Sequence, residues 1–270
     1  MIPTVDAHEG SGPALTVASW NVNSIRARLD HVLTWLVERE PDVLCLQETK
    51  VEDNLFPRVP FLELGYTVTI HGGRALAGVA TLSRRAPTEV QLGFRDGEDD
   101  RAPRVLETVI DGIRLFNLYA PNGTGVGSDA FGYKLQWYAR LRSQLDRDCT
   151  PDQPVLVIGD FNVAPDARDV WDPDYFQGRL QFTPEEHAAL QQLRAFGLGD
   201  CFRHHHPEPH HYSWFDYRTN GFARNEGMRI DLALATPSLL ARCTSARYDD
   251  TPRRWPIPSD HIPLVVSFSG

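Results

Sequence analysis

The sequence predicts an α+β fold in which two sheets pack face to face with helices on the outside. Three observations carry this reading. Short apolar runs of strand character outnumber helical stretches, and some are joined by hairpin signals such as Asp111-Gly112. No internal repeat or long linker divides the chain. The 270 residues are 41% hydrophobic and 23% charged, enough for one sizeable core. Met1–Pro13 is rich in Gly, Pro and acidic residues and reads as a poorly ordered tail, leaving residues 14–270 as a single domain.

In chain order, Leu15–Trp20 reads as a strand. Ile25–Arg39 reads as a helix, with Ile25, Leu29, Val32, Leu33, Leu36 and Val37 at helical spacing and Pro41 beyond its end. Val43–Leu46 is a buried strand, followed by strand-like runs at Thr67–Ile70, Gly78–Leu82, Val105–Ile110 and Ile113–Tyr119. A helix over Ala130–Leu145 turns Phe131, Leu135, Tyr138, Leu141 and Leu145 inward. Pro154–Ile158 is a strand. Thr183 caps a helix that has Pro184 at its first position and runs to Phe196. Ile230–Ala235 and Ile262–Phe268 are the last strands.

Composition removes several classes. No apolar run is long enough for a membrane span, and the N-terminus lacks the basic-then-apolar signal-peptide pattern. Cys45, Cys149, Cys201 and Cys243 form no CxxC pair, which argues against a zinc site at these thiols and for a reducing, cytoplasmic compartment. The net charge of −9 speaks against a phosphate-rich partner, although a basic rim can coexist with a negative total.

One pattern recurs along the chain. Apolar strands end in polar residues that are costly to bury: Asn21 and Asn23 after Trp20, Glu48 after Leu46, Tyr119 after Leu118, and Asp160 and Asn162 after Ile158. Asp231 follows Ile230, and Asp260-His261 precedes Ile262. Any one of these residues is an ordinary turn or cap residue. Together, if the strand ends converge, they line a cleft with carboxylates, amides, a phenol and an imidazole. Such carboxylates repel one another unless a cation lies between them, and a hard divalent ion is the natural one.

Six stretches then carry a resemblance. Ser19-Trp20-Asn21-Val22-Asn23-Ser24-Ile25-Arg26-Ala27-Arg28, Leu46-Gln47-Glu48-Thr49-Lys50 and Gly159-Asp160-Phe161-Asn162 are the first three. Tyr212-Ser213-Trp214-Phe215-Asp216-Tyr217-Arg218, Arg229-Ile230-Asp231 and Ser259-Asp260-His261 follow in order. The chain resembles the exodeoxyribonuclease III and abasic-site endonuclease family, within the endonuclease/exonuclease/phosphatase superfamily, from about Ala18 to Phe268. The resemblance implies a four-layer αββα sandwich and a DNA-repair phosphodiesterase. It would cut beside abasic sites, trim 3′ ends, or both, using Mg²⁺ with Mn²⁺ as the alternative.

The resemblance also implies roles. Glu48 would hold the metal, within a ligand set of Asn21, Glu48, Asp160, Asn162 and Asp260. Asp160, oriented by Asn162, would deprotonate the attacking water. Asp231 would fix the tautomer of His261, which binds the scissile phosphate, and Tyr119 would touch that phosphate or the leaving oxygen. Arg104, Lys134 and Trp214 would contact DNA. The implied partner is double-stranded DNA with abasic sites or 3′ ends, bound by a monomer. Asn23 stands where some relatives carry Asp, and residues 72–77 lack the longer polar side chains often found there.

Other features read more plainly. His204, His205, His206, His210 and His211 crowd a segment with Pro207 and Pro209; this reads as a solvated loop, with a metal site as the alternative. Asp96-Gly97-Glu98-Asp99-Asp100 reads as an exposed acidic loop. Trp171 and Tyr175 either line the cleft or pack under it. Trp214 is either pocket wall or core. A lipid or small-phosphate phosphatase on the same fold is the competing class, and the aromatic cluster Trp214, Phe215 and Tyr217 argues against it. A catalytically dead binding module is the third class, disfavoured by intact Glu48, Asp160, Asp231 and His261.

Overall fold

The computed structural model describes residues 14–73, 77–98 and 100–270. The expected N-terminal tail, residues 74–76 of the loop at 72–77, and Asp99 of the acidic run lie outside these. In chain order the elements are β1 (Leu15–Asn21), α1 (Leu29–Arg39), β2 (Val43–Gln47), α2 (Arg58–Glu63), β3 (Thr67–His71), β4 (Val79–Ser83), β5 (Glu89–Leu92), β6 (Val105–Ile110) and β7 (Ile113–Tyr119). Then come α3 (Asp129–Asp148), β8 (Val155–Asp160), α4 (Pro173–Phe176), α5 (Pro184–Arg194), β9 (Gly199–Asp200), α6 (Cys201–His205) and α7 (Gly221–Arg224). β10 (Asp231–Ala235), α8 (Pro237–Leu240), β11 (Cys243–Tyr248) and β12 (Leu264–Phe268) close the chain.

The strands form two six-stranded mixed sheets, ordered β11-β12-β1-β2-β4-β3 and β5-β6-β7-β8-β10-β9. β1 runs parallel to β2 and β7 parallel to β8; the other pairings are antiparallel. Period-two alternation explains the layers. Val17, Val43, Cys45, Leu115, Leu156, Ile158, Leu264 and Val266 meet between the sheets. Ala18, Leu44, Leu46 and Val265 face the other way, onto Val32, Trp35 and Leu36 of α1. Val155 and Val157 turn outward onto Trp137, Tyr138 and Leu141 of α3 and Leu190 and Leu193 of α5. This is the αββα sandwich.

Three expectations shift. The first helix starts at Leu29, because Asn23 and Ser24 adopt positive φ and the Ile25 N–H bonds to the Thr49 carbonyl. β5 and β11 were not legible: both are edge strands, β5 with four residues and none fully buried, β11 with only Cys243 and Ala246 buried, so neither carries a continuous apolar run. The buried face of α3 is Phe131, Lys134, Trp137, Tyr138, Leu141, Gln144 and Leu145, with Leu135 half-buried. The reason is an ion pair, described below. Among the described residues no helix is long and apolar enough to cross a membrane.

Candidate active site

Mixed topology brings the polar strand ends to one rim. Asn21 ends β1, Glu48 follows its parallel neighbour β2, and Tyr119 and Asp160 end the parallel pair β7 and β8, where they face each other in register. β10 runs the opposite way and starts at Asp231, directly opposite Asp160. β12 is antiparallel to β1, so Asp260 and His261, just ahead of it, arrive beside Asn21. One sheet supplies Asn21, Glu48, Asp260 and His261; the other supplies Tyr119, Asp160 and Asp231.

Local geometry aims these groups. Glu48 has a φ of 50°, uncommon for a non-glycine residue, and is held there by Ser24 N–H donating to its carbonyl at 2.8 Å. Gly159 has a φ of 145°, and a Cβ there would lie 2.0 Å from the Leu118 carbonyl oxygen, so only glycine lets β8 approach β7 just before Asp160. Between the sheets the Gln47 amide donates to Ser19 Oγ at 3.0 Å and to Asn117 Oδ1 at 2.8 Å, and Asn117 donates to the Ala80 carbonyl at 2.8 Å. This buried bridge, immediately behind Glu48 and two residues before Tyr119, locks the two sheets at the site.

Ligand atoms of Glu48, Asp160 and His261 all lie within 4.8 Å of one another. The Asn21 amide nitrogen donates to Glu48 Oε1 and to Asp160 Oδ2, both at 2.9 Å, while its oxygen accepts from Asn23 N–H at 3.0 Å. Asn21 therefore bridges the two carboxylates and, in this arrangement, adds no oxygen between them. Asn162 is likewise committed: its oxygen accepts from Gln181 at 2.8 Å, its amide donates to Ala120, and its N–H fixes Asp160 Oδ1 at 2.9 Å. Asp260 stands outside the close group, accepting from Asn23 and from the Trp214 indole, both at 3.0 Å. Of the five expected metal ligands, Glu48 and Asp160 thus present oxygens to a common point.

His261 Nδ1 meets Asp231 Oδ2 at 2.8 Å, and its Nε2 faces Asp160 Oδ2 at 3.8 Å. Burial alone would lower the imidazole pKa, but Asp231, Asp160 and Asp260 outweigh it and lift it to about 10. Held cationic in this way, His261 offers an N–H donor from Nε2. Burial, with Asp231 and Glu48 acting the same way and His261 and the Asn21 amide opposing, raises Asp160 to about 7. Crowded carboxylates of this kind fit a hard divalent ion, which takes one or two carboxylates and leaves room for water and phosphate oxygens. Burial, then Glu48 and Asp160, raise the Tyr119 phenol, so it stays a neutral O–H donor.

Several positioning residues escaped sequence reasoning. Lys50 pairs with Glu48 at 2.9 Å and donates to Asn23 at 2.5 Å. Ser213 Oγ accepts from the Asp231 N–H at 3.0 Å, Tyr248 donates to the Asp231 carbonyl at 2.6 Å, and Ser259 donates to the Asn21 carbonyl at 2.7 Å. Lys50 and Ser213 lay inside quoted motifs, but nothing in their spacing marked a partner.

The expected DNA contacts divide. Lys134 is fully buried, paired with Glu186, and donates to the Asn162 carbonyl at 2.7 Å. With its ammonium enclosed it does not present itself to DNA; it holds the loop after β8 instead. Arg104 is half-buried, with its guanidinium 4.5 Å from the Tyr119 ring centre. Trp214 is half-buried and lines a cleft of about 550 Å³ with Trp171, Tyr175, Phe176, Gln181, Asp216 and Arg218 among others. Trp171 and Tyr175 are exposed and line the cleft rather than packing under it. The cleft touches the charged centre on two sides, through the Trp214–Asp260 and Gln181–Asn162 hydrogen bonds.

A two-sheet sandwich with a carboxylate–imidazolium centre at one rim and an aromatic cleft beside it defines a phosphoester hydrolase fold. Residues 18–261 match the Endonuclease/Exonuclease/phosphatase family, and the chain belongs to that family, in its exodeoxyribonuclease III branch. It is 36% identical to exodeoxyribonuclease III of Haemophilus influenzae, covering 93% of this chain and 98% of that protein. An AP endonuclease from Archaeoglobus fulgidus superposes with a TM-score of 0.91 at 39% identity, over 94% of this chain and 99% of that one. The Neisseria 3′ phosphatase NExo, solved with a product DNA hairpin, gives 0.91 at 35% identity, again over 94% and 99%.

Proposed function

We propose that this chain is a Mg²⁺-dependent DNA-repair phosphodiesterase that hydrolyses the backbone at abasic sites and removes nucleotides or blocking groups from 3′ ends. The observation that carries the reading is the meeting of Glu48, Asp160 and His261 within 4.8 Å, beside a cleft walled by Trp214. Glu48 and Asp160 would hold the ion, which when bound supplies charge neutralisation to the phosphate and the leaving oxygen.

The remaining chemistry belongs to the chain's own side chains. Asp160, fixed through Oδ1 by the Asn162 N–H, takes the proton of the attacking water. His261, kept cationic by Asp231, donates from Nε2 to a non-bridging phosphate oxygen, stabilising the charge that builds in the transition state. Tyr119 donates a hydrogen bond from its O–H to the same phosphate or to the leaving group. Asp260 anchors the Trp214 indole and so couples the cleft wall to the charged rim. The protein acts as a monomer of one catalytic domain over 14–270, and its four buried free cysteines suit a reducing cytoplasm.

An abasic sugar swings out of the duplex cheaply and fits an apolar slot, whereas a normal nucleotide must be unstacked at about a few kcal/mol. The test is cleavage of an end-labelled duplex bearing one abasic analogue, with and without Mg²⁺, by wild type and Trp214→Ala. Wild type should cut at the lesion only with the ion. Trp214→Ala should keep its melting temperature and lose abasic-site cleavage more than 3′-nucleotide release. Equal loss of both activities with a large fall in melting temperature would make Trp214 a core residue and refute the lesion reading.

A further inference from the structure

The histidine-rich segment between α6 and the Trp214 strap folds into a geometry that a solvated loop does not require. His211 Nε2 lies 3.1 Å from Glu208 Oε1, and His206 Nδ1 lies 3.5 Å from the same oxygen. One atom from each of the three residues falls within 4.8 Å of the other two. Tetrahedral zinc, with bonds of 2.0–2.2 Å to nitrogen and oxygen, sets donor–donor edges at roughly 3.3–3.5 Å. His206 Nε2 lies 2.8 Å from the Ala246 carbonyl, which can only accept, so Nε2 carries a proton. In the neutral ring Nδ1 then aims a lone pair at a carboxylate oxygen with no proton between them. A cation in that position satisfies both.

The frame is built without the ion. Phe202 stacks on His206 with ring centres 4.6 Å apart and meets His211 edge-on at 5.3 Å. Arg203 donates to the His206 carbonyl at 3.0 Å and Arg168 to the Pro207 carbonyl at 2.9 Å. His210, at a φ of 71°, turns the chain so that His211 comes back over Glu208. His204 and His205 point elsewhere, His205 bonding to the Cys243 carbonyl.

We propose that His206, Glu208 and His211 form a second metal site, of the zinc class, that shares no residue with the catalytic centre. Two imidazoles and one carboxylate favour a borderline-soft ion over Mg²⁺, which prefers all-oxygen shells. Side-chain exposures of 35%, 53% and 37% leave water access to the remaining coordination position. Such an ion staples the end of α6 to the loop and, through His206 and Ala246, to β11. The same loop runs straight into Ser213, whose hydroxyl holds the Asp231 N–H. The site therefore stiffens the segment that seats the His261 partner, and its signature is stability.

The experiment titrates the tag-free full chain with Zn²⁺ under excess Mg²⁺, by calorimetry and by melting temperature. Saturable one-to-one binding is expected, with a melting-temperature rise of roughly 5–10 °C at about 100 times the Kd. His206→Ala and His211→Ala should each lower Zn²⁺ affinity by about 100-fold. His204→Ala and His210→Asn, the latter a residue that tolerates the positive φ at that turn, should leave it unchanged. His211 carries its ring on the surface, so its variant stays informative even if His206→Ala fails to fold. Absence of one-to-one binding, or equal losses in the His204 and His210 variants, would overturn the site and leave a histidine-rich loop only.

Discussion

Lowering the pH from about 8 to about 6 should weaken Mg²⁺ binding about tenfold. Asp160 titrates near 7 in the ion-free site, raised by burial and by Asp231 and Glu48. The ion needs the carboxylate, so it competes with that proton. For a pKa of about 7 the factor 1 + 10^(pKa − pH) is about 1.1 at pH 8 and about 11 at pH 6, a tenfold change or about 1.4 kcal/mol. His261 titrates near 10 and stays charged throughout, so it adds nothing to this window. Stability of the ion-free protein follows from the same shifts. Asp160 holds a proton that the unfolded chain releases near its ordinary 3.8, so its contribution is present at low pH and lost as the pH rises through 7. His261 contributes fully below 6.5, and that contribution is lost through 10. The assay is calorimetric Mg²⁺ titration at several pH values in two buffers of different ionisation enthalpy, which counts the protons released. Binding that is flat with pH and releases no proton would refute Asp160 as a ligand. Asp160→Asn should bind the ion more weakly and lose the pH dependence.

Glu48→Gln keeps shape and removes charge; turnover at low Mg²⁺ should fall by hundreds-fold, roughly 3–4 kcal/mol, with partial recovery at high Mg²⁺ in the same nicking assay. Asp231→Asn removes the main group that keeps His261 cationic, so above about pH 8, where Asp160 is already ionised, kcat should decline with rising pH while wild type stays flat, and His261→Asn should be severe at every pH. Lys134→Met strands the Glu186 carboxylate, so stability measured by urea unfolding should drop by about 3–5 kcal/mol, and pairing it with Glu186→Leu should recover most of the loss.

The strand-end residues were legible because burying a polar group at the close of an apolar run needs a reason, and six such ends share one. Lys134 was not legible. Burial of an ammonium is excluded unless a partner exists, and its partner, Glu186, lies 52 positions away on α5. That single pair rotated the expected face of α3, admitting Lys134 and Trp137 and demoting Leu135. The same loss of long-range information hid Lys50, which reads as a surface charge until the Glu48 turn brings it onto two site residues. Asn21, Asn162 and Asp260 were expected to offer oxygens to the ion. In the structure Asn21 donates to Glu48 and Asp160, Asn162 bonds to Gln181 and Ala120, and Asp260 accepts from Asn23 and Trp214, partnerships that no spacing encodes.

The two halves of the chemistry sit on different sheets, and this decides where the structure must be stiff. Asn21, Glu48 and His261 ride on the sheet of β1, β2 and β12, whereas Asp160, Asp231 and Tyr119 ride on that of β7, β8 and β10. The key pairs, Asn21 with Asp160 and His261 with Asp231, therefore cross the gap between sheets. An apolar interface alone tolerates sliding, because dispersion contacts are non-directional. The buried Gln47–Asn117–Ser19 bridge is directional, and it lies at the active-site end of the gap rather than in its middle. Its hydrogen bonds net only about 1 kcal/mol each for stability. Their greater effect is on alignment, since a shift of about 1 Å in a catalytic pair can cost about 100-fold in rate.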